Sequence, residues 1–139
     1  MPRLAFIDSS AFMARYLPDD QYHTAAVAEY ERLAKSGYSF VTSNYVFDEV
    51  VTGAKRRSSH ERARKAGDAI RAHSKLFRVL VDEAIEDEAW ALHDKFKEHQ
   101  LSFTDVTCVA VMRRQGISEI FSFDSDFDRV GLVRLPAGR

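Results

Sequence analysis

Cysteine is almost absent from this chain, because Cys108 is the only one among its 139 residues. A single cysteine excludes an intramolecular disulfide framework and a cysteine-rich zinc site, and it fits a reducing compartment. Long hydrophobic runs are also missing, since none approaches the roughly 18 residues of a membrane-spanning helix. The apolar stretch at residues 4–7 is too short for a signal peptide. These absences predict a cytoplasmic protein without a membrane partner.

Several familiar catalytic and cofactor motifs are missing as well. The five histidines form no pair at the helical spacing of a metal site. No phosphate-binding loop, dinucleotide fingerprint or nucleophilic serine elbow is present. Nothing in the sequence marks Cys108 as activated, so we interpret it as a small core residue. The acidic residues therefore remain as the candidates for chemistry.

What the chain does have is an ordinary globular composition, with 45% hydrophobic and 29% charged residues. Its length suits one domain, so residues 1–139 are predicted to form a single domain.

The net charge is −1, but residues 55–78 hold nine basic residues and two acids, whereas residues 79–105 hold eight acids and two lysines. This asymmetry predicts a region that faces a polyanion, although a solvated helix face is the simpler interpretation.

Apolar runs alternate with helical patterns along the chain. Strands are predicted at residues 4–7, 38–42, 76–81, 117–123 and 132–135. Helices are predicted at residues 9–17, 44–57, 59–74 and 102–116, and from caps at Asp20 and Asp82 to about residues 36 and 100. This alternation predicts an α/β domain with a mainly parallel sheet of four to five strands. The carboxyl ends of such strands face the ligand crevice, and Asp8 and Asp124 stand at two of them.

Asp8 follows the first apolar strand directly and precedes a helix. An N-cap is a common role for aspartate, but Ser9 or Ser10 could cap the same helix equally well. The position at the end of a buried strand therefore favours a functional role for Asp8.

Glu49 and Asp48 are adjacent acids in a predicted helix whose apolar stripe contains Val46 and Val50. At about 100° per residue, Glu49 falls at the edge of that stripe, whereas Asp48 points towards solvent. Because an ordinary exposed acid avoids the apolar stripe, Glu49 is the candidate of the two. A half-exposed helical glutamate without a function is the competing interpretation.

Asp105 stands three residues after Ser102, which matches the spacing of a capping box. Asp105 also shares one helical face with Cys108, Val109 and Met112, so its carboxylate heads a line of small and apolar residues. Ionised groups are rarely buried unless they are paired or bind a metal. A cap and a functional carboxylate are both open, and we favour the second.

Asp124, Asp126 and Asp128 alternate after the fourth predicted strand. A turn followed by a helix start explains the pattern. A calcium loop does not, because the glycine and glutamate that it requires are missing. Asp124 is the functional candidate and Asp126 its helper.

The four acids lie one per element, within the segments FIDSSA (6–11), SNYVFDEV (43–50), SFTDV (102–106) and SFDSDF (122–127). In this order they resemble the PIN domain, in particular the VapC-type toxins of bacterial and archaeal toxin–antitoxin pairs. The resemblance spans almost the whole chain. The family usually has threonine where this chain has Ser122, so a hydroxyl is kept. The fourth acid varies within the family, which leaves its role shared between Asp124 and Asp126.

The resemblance implies a PIN-like three-layer α/β/α fold and an endoribonuclease that depends on Mg²⁺ or Mn²⁺. Carboxylates gathered in one cleft repel one another, and a hard divalent cation relieves that repulsion. The resemblance makes Asp8 and Asp105 the metal ligands, with Glu49, Asp124 and Asp126 binding a second ion or metal-bound waters. It also implies an RNA substrate, a cognate antitoxin, and a homodimer to which the Tyr/Phe-rich early helices could contribute.

Two further hypotheses follow for RNA. The candidates for contacts to RNA phosphates are Arg56, Arg57, Arg62 and Arg64. Antitoxin binding and plain solvation are the alternative roles of these arginines.

The alternative function is a PIN-like module that binds RNA or protein without turnover, although the presence of all four acids speaks against it. A haloacid-dehalogenase-type phosphatase is a poorer match, because Ser10 stands where that family requires a second aspartate.

Overall fold

Five parallel strands form one sheet in the computed structural model, which describes residues 3–138. They are β1 (Arg3–Ile7), β2 (Tyr38–Ser43), β3 (Leu76–Val79), β4 (Glu119–Phe121) and β5 (Val133–Leu135). Their order across the sheet is β3-β2-β1-β4-β5, and each neighbouring pair is parallel. The predicted α/β class with a parallel sheet is confirmed.

Two strands end two residues earlier than the sequence predicted, at Val79 and Phe121. In both cases a side chain takes the backbone N–H away from the sheet. The N–H of Val81 donates to Oδ1 of Asn44 at 2.7 Å, and the N–H of Phe123 donates to Oγ of Ser10 at 3.0 Å. Both acceptors are distant in sequence, so strand patterning could not reveal them.

Six α-helices lie within residues 3–138, and most of them begin after a capping side chain. Asp8, Ser43, Ser59, Asp82 and Ser102 each accept a backbone N–H from the first turn of the helix that follows. The helices are α1 (Ser9–Tyr16), α2 (His23–Lys35), α3 (Asn44–Arg57), α4 (His60–Ala72), α5 (Glu83–Lys95) and α6 (Phe103–Gln115). A short 3-10 helix follows at Ser125–Val130.

Helices α2 and α5 have boundaries that differ from the prediction. Asp20 does not cap α2, because its Oδ1 accepts the N–H of Tyr22 at 2.8 Å in a turn and α2 begins only at His23. Helix α5 ends at Lys95 and not near residue 100. From Phe96 onwards the chain makes tight turns, with the N–H of His99 bonded to the carbonyl of Phe96 at 2.9 Å.

Helices cover both faces of the sheet. Ala5, Phe6 and Ile7 are consecutive in β1 and are all buried, although successive side chains of a strand point to opposite faces. Burial on both faces is the mark of a parallel sheet between two helical layers, which confirms the three-layer arrangement. Within the described residues, each helix is too short or too polar to cross a lipid bilayer.

The strand order places a crevice at the centre of the sheet. From β1 the chain builds outwards through β2 to β3, and it then returns to add β4 and β5 on the other side of β1. Ligands of parallel sheets bind where the strand order reverses, outside the carboxyl ends of the strands. In this protein that point lies between the ends of β1 and β4, where the N–H of Asp8 donates to the carbonyl of Phe121 at 3.3 Å.

Candidate active site

Asp8 is both a helix cap and a buried carboxylate in the crevice. Its Oδ1 accepts the N–H of Ala11 at 3.0 Å and the hydroxyl of Ser10 at 2.8 Å, and its Oδ2 accepts the hydroxyl of Ser122 at 2.6 Å. Burial raises the pKa of Asp8 to about 7, although these three hydrogen bonds lower it and the charge of Asp105 raises it further. The capping interpretation is therefore correct, and burial disfavours the charged form of this capping carboxyl.

Asp105 likewise has the predicted structural role. It forms a capping box with Ser102, because its N–H donates to the Ser102 hydroxyl at 3.0 Å while its Oδ2 accepts the Ser102 N–H at 2.9 Å. Burial raises the pKa of Asp105 to about 6, the bonds to Ser102 lower it, and the charges of Asp124 and Glu49 add to the rise. Asp105 is thus within electrostatic reach of the other candidate acids.

Glu49 lies on α3 with its carboxylate turned towards the end of β1. The hydroxyl of Ser9 donates to Oε1 of Glu49, so the residue after Asp8 connects the two elements. Glu49 is half-buried and Asp48 is exposed, as the helical phase predicted. The structure therefore brings Glu49, and not Asp48, into the crevice.

Asp124 caps the 3-10 helix, because its Oδ1 accepts the N–H of Asp126 at 2.9 Å. Burial raises the pKa of Asp124, and the neighbouring charge of Asp126 contributes to the rise. Asp124 is the member of this pair whose charge raises the pKa of Asp105. The assignment of Asp124 as the fourth acid, with Asp126 as its helper, stays a prediction.

The pKa of the buried Cys108 thiol shows that several of the acids lie near this residue. Burial raises the pKa of Cys108 well above its usual value, and the charges of Asp8, Asp105 and Glu49 raise it further. A buried thiol with a raised pKa is not a nucleophile, which agrees with its interpretation as a core residue. The charges of Asp8, Asp105 and Glu49, which stand on three separate elements, therefore all act at Cys108.

The donor set of this region suits a hard divalent cation. All the candidate ligands are carboxylate oxygens, and burial, to which the charges of neighbouring acids add, raises the pKa of Asp8, Asp105 and Asp124. Among residues 3–138 no three acidic, histidine or cysteine side chains converge closely enough to enclose an ion by themselves. Mg²⁺ is commonly held by one or two carboxylates and keeps several waters, so a pair of ligands fits it.

Hydroxyl groups hold these carboxylates in place. The sequence did not identify that role for Ser9, Ser10 and Ser122. Ser10 bonds to Asp8 and also accepts the N–H of Phe123 at 3.0 Å, and Ser122 bonds to Asp8 and accepts the N–H of Asp124 at 2.9 Å. The sequence feature that could have indicated this role is the presence of serines close to Asp8 and Asp124 at the ends of two predicted strands. Their partners lie on other elements, so their positioning role required the fold.

An open groove of about 710 Å³ adjoins the acids. Of the four candidate arginines, Arg57 lines this groove, whereas Arg64 pairs with Asp68 at 3.3 Å and lines a separate cavity of about 470 Å³ between α3 and α4. Arg56 is exposed and Arg62 is half-exposed. The groove is lined by Ser9, Ser10, Met13, Asp20, Gln21, Tyr22, Arg57, Phe123, Asp124 and Ser125.

The sequence matches the family model of the PIN domain over residues 5–132. The chain belongs to the PIN-domain family. This PIN domain is 35% identical over 133 residues to the 23S rRNA-specific endonuclease VapC20 of Mycobacterium tuberculosis, a match that covers 95% of this chain and 98% of that protein. The predicted family and its VapC type are therefore confirmed.

Solved structures show the same fold. The crystal structure of M. tuberculosis VapC20, described as a sarcin–ricin loop cleaving toxin, superposes with a TM-score of 0.83 at 34% identity, over 94% of this PIN domain and 96% of that chain. A VapBC2 structure from Rickettsia felis, bound to promoter DNA, superposes with a TM-score of 0.70 at 13% identity, over 94% of this PIN domain and 96% of that chain. A toxin–antitoxin complex from Klebsiella pneumoniae superposes with a TM-score of 0.61 at 19% identity, over 93% of this PIN domain and 95% of that chain. The last two likenesses show the fold alone.

Proposed function

We propose that this PIN domain hydrolyses RNA phosphodiester bonds with a divalent metal ion, Mg²⁺ or Mn²⁺, held by Asp8 and Asp105, as the toxin of a VapBC-type pair. The VapC-type relative confirms the prediction of an endoribonuclease. The ion, its ligands and the RNA target are the added content of the proposal. The observation that carries it is the group of four carboxylates whose burial and charges raise the pKa of Asp8, Asp105 and Asp124.

Each residue of the site has a separate task in this proposal. When bound, the cation supplies Lewis-acid stabilisation of the charge that develops on the phosphate. The hydroxyls of Ser10 and Ser122 fix the two oxygens of Asp8, and the capping box with Ser102 fixes Asp105. Glu49, Asp124 and Asp126 hold a second ion or orient water at the edge of the groove.

The RNA target follows from the relative that shares about a third of its residues with this chain. VapC20 is named as specific for 23S rRNA and as cleaving the sarcin–ricin loop. We take the same loop as the substrate here. Arg56, Arg57, Arg62 and Arg64 supply contacts to the phosphate backbone, and the position of Arg57 in the groove beside Asp124 supports its contact most directly.

Two protein partners belong to the proposal. The fold neighbours include VapBC and other toxin–antitoxin complexes, which supports a cognate antitoxin. A homodimer, the single domain over residues 1–139 and a cytoplasmic location stay predictions from the sequence. Of the predicted domain, residues 1, 2 and 139 lie outside the described part of the structure.

Cleavage of an RNA hairpin that carries the sarcin–ricin loop tests the function. The purified chain should cut the hairpin in Mg²⁺ or Mn²⁺, should stop in excess EDTA, and should resume when the metal is returned. A stem-matched hairpin with an unrelated loop is the control for the target. Binding of the hairpin without cleavage at any metal concentration would favour the alternative, a PIN-like binding module without turnover. Cleavage that persists after exhaustive chelation would contradict the metal mechanism.

A further inference from the structure

An aromatic pair stands at the groove beside the acids and has no task in the function proposed so far. The rings of Tyr22 and Phe123 are stacked, with their centroids 4.8 Å apart and an angle of 3° between their planes. Tyr22 precedes α2 and Phe123 follows β4, so the pair joins two elements that are far apart in sequence. Both side chains are half-exposed, and both line the groove next to Asp124.

Phe123 is fixed relative to the catalytic carboxylates. Its N–H donates to Oγ of Ser10 at 3.0 Å, and the same hydroxyl donates to Oδ1 of Asp8 at 2.8 Å. One hydroxyl therefore connects the aromatic pair to the proposed metal ligand. A group that packs against Tyr22 and Phe123 is therefore held in a fixed position relative to the carboxylate of Asp8.

A guanidinium group lies in the same groove. Arg57 donates from Nη2 to Oδ2 of Asp20 at 2.9 Å and from Nη1 to Sδ of Met13 at 3.7 Å. The Asp20 side chain is 10% exposed and that of Arg57 is 48% exposed, so a largely buried carboxylate anchors an accessible cation. A guanidinium has five N–H donors, and these contacts leave several of them free to bind a phosphate.

These features suit the two ends of a nucleotide. A volume of about 710 Å³ lies within the range of about 300–1,000 Å³ typical of small-ligand sites. Aromatic side chains receive the flat face of a base, and arginine receives the phosphate. Asp124 also lines the groove, so a nucleotide bound there lies beside one of the candidate acids.

We propose that this groove binds one unpaired nucleotide of the RNA, adjacent to the bond that is cut, with its base against the Tyr22–Phe123 pair and its phosphate on Arg57. This inference rests on the proposed ribonuclease function and names how the substrate is held. A base inside a duplex cannot reach an aromatic side chain, so the groove selects loops and single strands. Because every base has a flat face, the pair supplies affinity for an unpaired nucleotide and little choice of base.

The test pairs a scan of the RNA with a change in the protein. In the hairpin carrying the sarcin–ricin loop, and in a mixed-sequence single strand, each nucleotide in turn is replaced by an abasic one. Binding to the inactive Asp8→Asn chain is then measured in Mg²⁺, with and without Tyr22→Leu. With Tyr22 present, one abasic position should weaken binding by about five- to a hundredfold. In the Tyr22→Leu chain the same position should cost less than about twofold, while other positions keep their effects.

The matched control is Tyr22→Phe, which keeps the ring and should reproduce the abasic profile of the Asp8→Asn chain. Melting curves of all three chains show whether Tyr22→Leu is folded, and Phe123→Leu provides a second variant if it is not. Identical abasic profiles with and without the aromatic pair would overturn the inference. A selective loss of antitoxin binding with unchanged RNA binding would assign the groove to a protein partner and overturn it equally.

The outcome is separable from that of the proposed function. Cleavage of the unmodified hairpin by the parent chain tests the ribonuclease, whereas the abasic profile is a binding measurement on a chain that does not cut. A parent chain that cuts RNA but shows no position that depends on Tyr22 would contradict the nucleotide site alone.

Discussion

The hydroxyl of Ser122 donates to Oδ2 of Asp8 at 2.6 Å, although the two residues are 114 positions apart in the chain. The bond joins the carboxyl ends of β1 and β4 at the point where the strand order reverses. Among the hydrogen bonds that lower the pKa of Asp8 it has the largest effect, against burial that raises it. Ser122 therefore positions the carboxylate and also favours its charged form.

Loss of the Ser122 hydroxyl should move the pH dependence of cleavage. In Ser122→Ala the pKa of Asp8 rises further, so the acidic limb of the kcat/KM profile should shift to higher pH. Because a hydrogen bond to a charged group contributes about 1.5–3 kcal/mol, cleavage at pH 7 should fall by about tenfold or more. Ser122→Thr keeps a hydroxyl and should restore the parent profile. Superimposable profiles for the alanine variant and the parent chain would contradict a positioning role.

Removal of either proposed metal ligand should stop catalysis. Asp8→Asn and Asp105→Asn keep the shape and the capping bonds but remove the charge, so cleavage of the hairpin should fall by at least about a hundredfold with little change in circular dichroism. Asp48→Asn is the matched control, because Asp48 is exposed and adjacent to Glu49. It should stay within about twofold of the parent, whereas Glu49→Gln should not. A silent Glu49→Gln beside a damaging Asp48→Asn would show that the helical-phase argument is wrong.

The metal-free chain should lose stability as pH rises. The pKa of Asp8 and Asp105 is raised in the folded state to about 7 and about 6, from the ordinary value of 3.8. The folded chain therefore binds more protons than the unfolded chain between about pH 4 and pH 7, and its stability decreases across that window. The melting temperature in EDTA should be lower at pH 8 than at pH 5.

Two comparisons check this explanation. Mg²⁺ should raise the melting temperature more at pH 8 than at pH 5, because it binds the ionised carboxylates of the folded state. Asp8→Asn should melt several degrees above the parent chain at pH 8 in EDTA, since it removes a charge that burial penalises. Equal melting temperatures for Asp8→Asn and the parent chain at pH 8 would mean that the pKa of Asp8 is not raised.

Arg57 should contribute to RNA affinity through the phosphates. Each lost contact to a single strand should flatten the log–log dependence of binding on salt by about 0.7, and affinity should fall for all sequences alike. Arg57→Ala is predicted to show this change in the Asp8→Asn background, and Arg56→Ala tests the neighbouring candidate. Lys35→Ala is the control, because Lys35 ends α2 just before the amino end of β2, at the opposite edge of the sheet. An unchanged slope in Arg57→Ala would assign Arg57 to another role.

Two helical glycines should respond differently to alanine. At Gly67 in α4 an added Cβ would meet Cγ2 of Val51 at 3.4 Å, an ordinary contact, so Gly67→Ala should gain about 0.5–1 kcal/mol of stability from helix propensity. At Gly53 in α3 an added Cβ would lie 2.8 Å from Sδ of Met13, so the Met13 side chain would have to move. Gly53→Ala should therefore show no such gain. Thermal melting of both variants checks the packing of α1 against α3, and a Gly53→Ala chain that is stabilised as much as Gly67→Ala would contradict it.

The local elements could be predicted from the sequence because their signals are local. Apolar runs marked the strands, and capping residues such as Asp82 and Ser102 marked helix starts, since a cap bonds to N–H groups only a few residues away. Some of the errors arose where a distant partner intervened. Asp20 was predicted to cap α2, but it serves a turn and pairs with Arg57, which is 37 positions away.

The site shows the same division. The sequence by itself determined which acids stand at strand ends or on a half-buried helix face, because strand burial and helical phase are periodic properties. Only the tertiary structure decided that Asp8, Glu49, Asp105 and Asp124 share one crevice. It also decided that Ser9, Ser10 and Ser122 hold them there and that Tyr22 stacks on Phe123. The physical reason is that burial and charge, which raise the pKa of these carboxyls, depend on distances between elements, and the parallel sheet sets those distances when it brings β1 and β4 together.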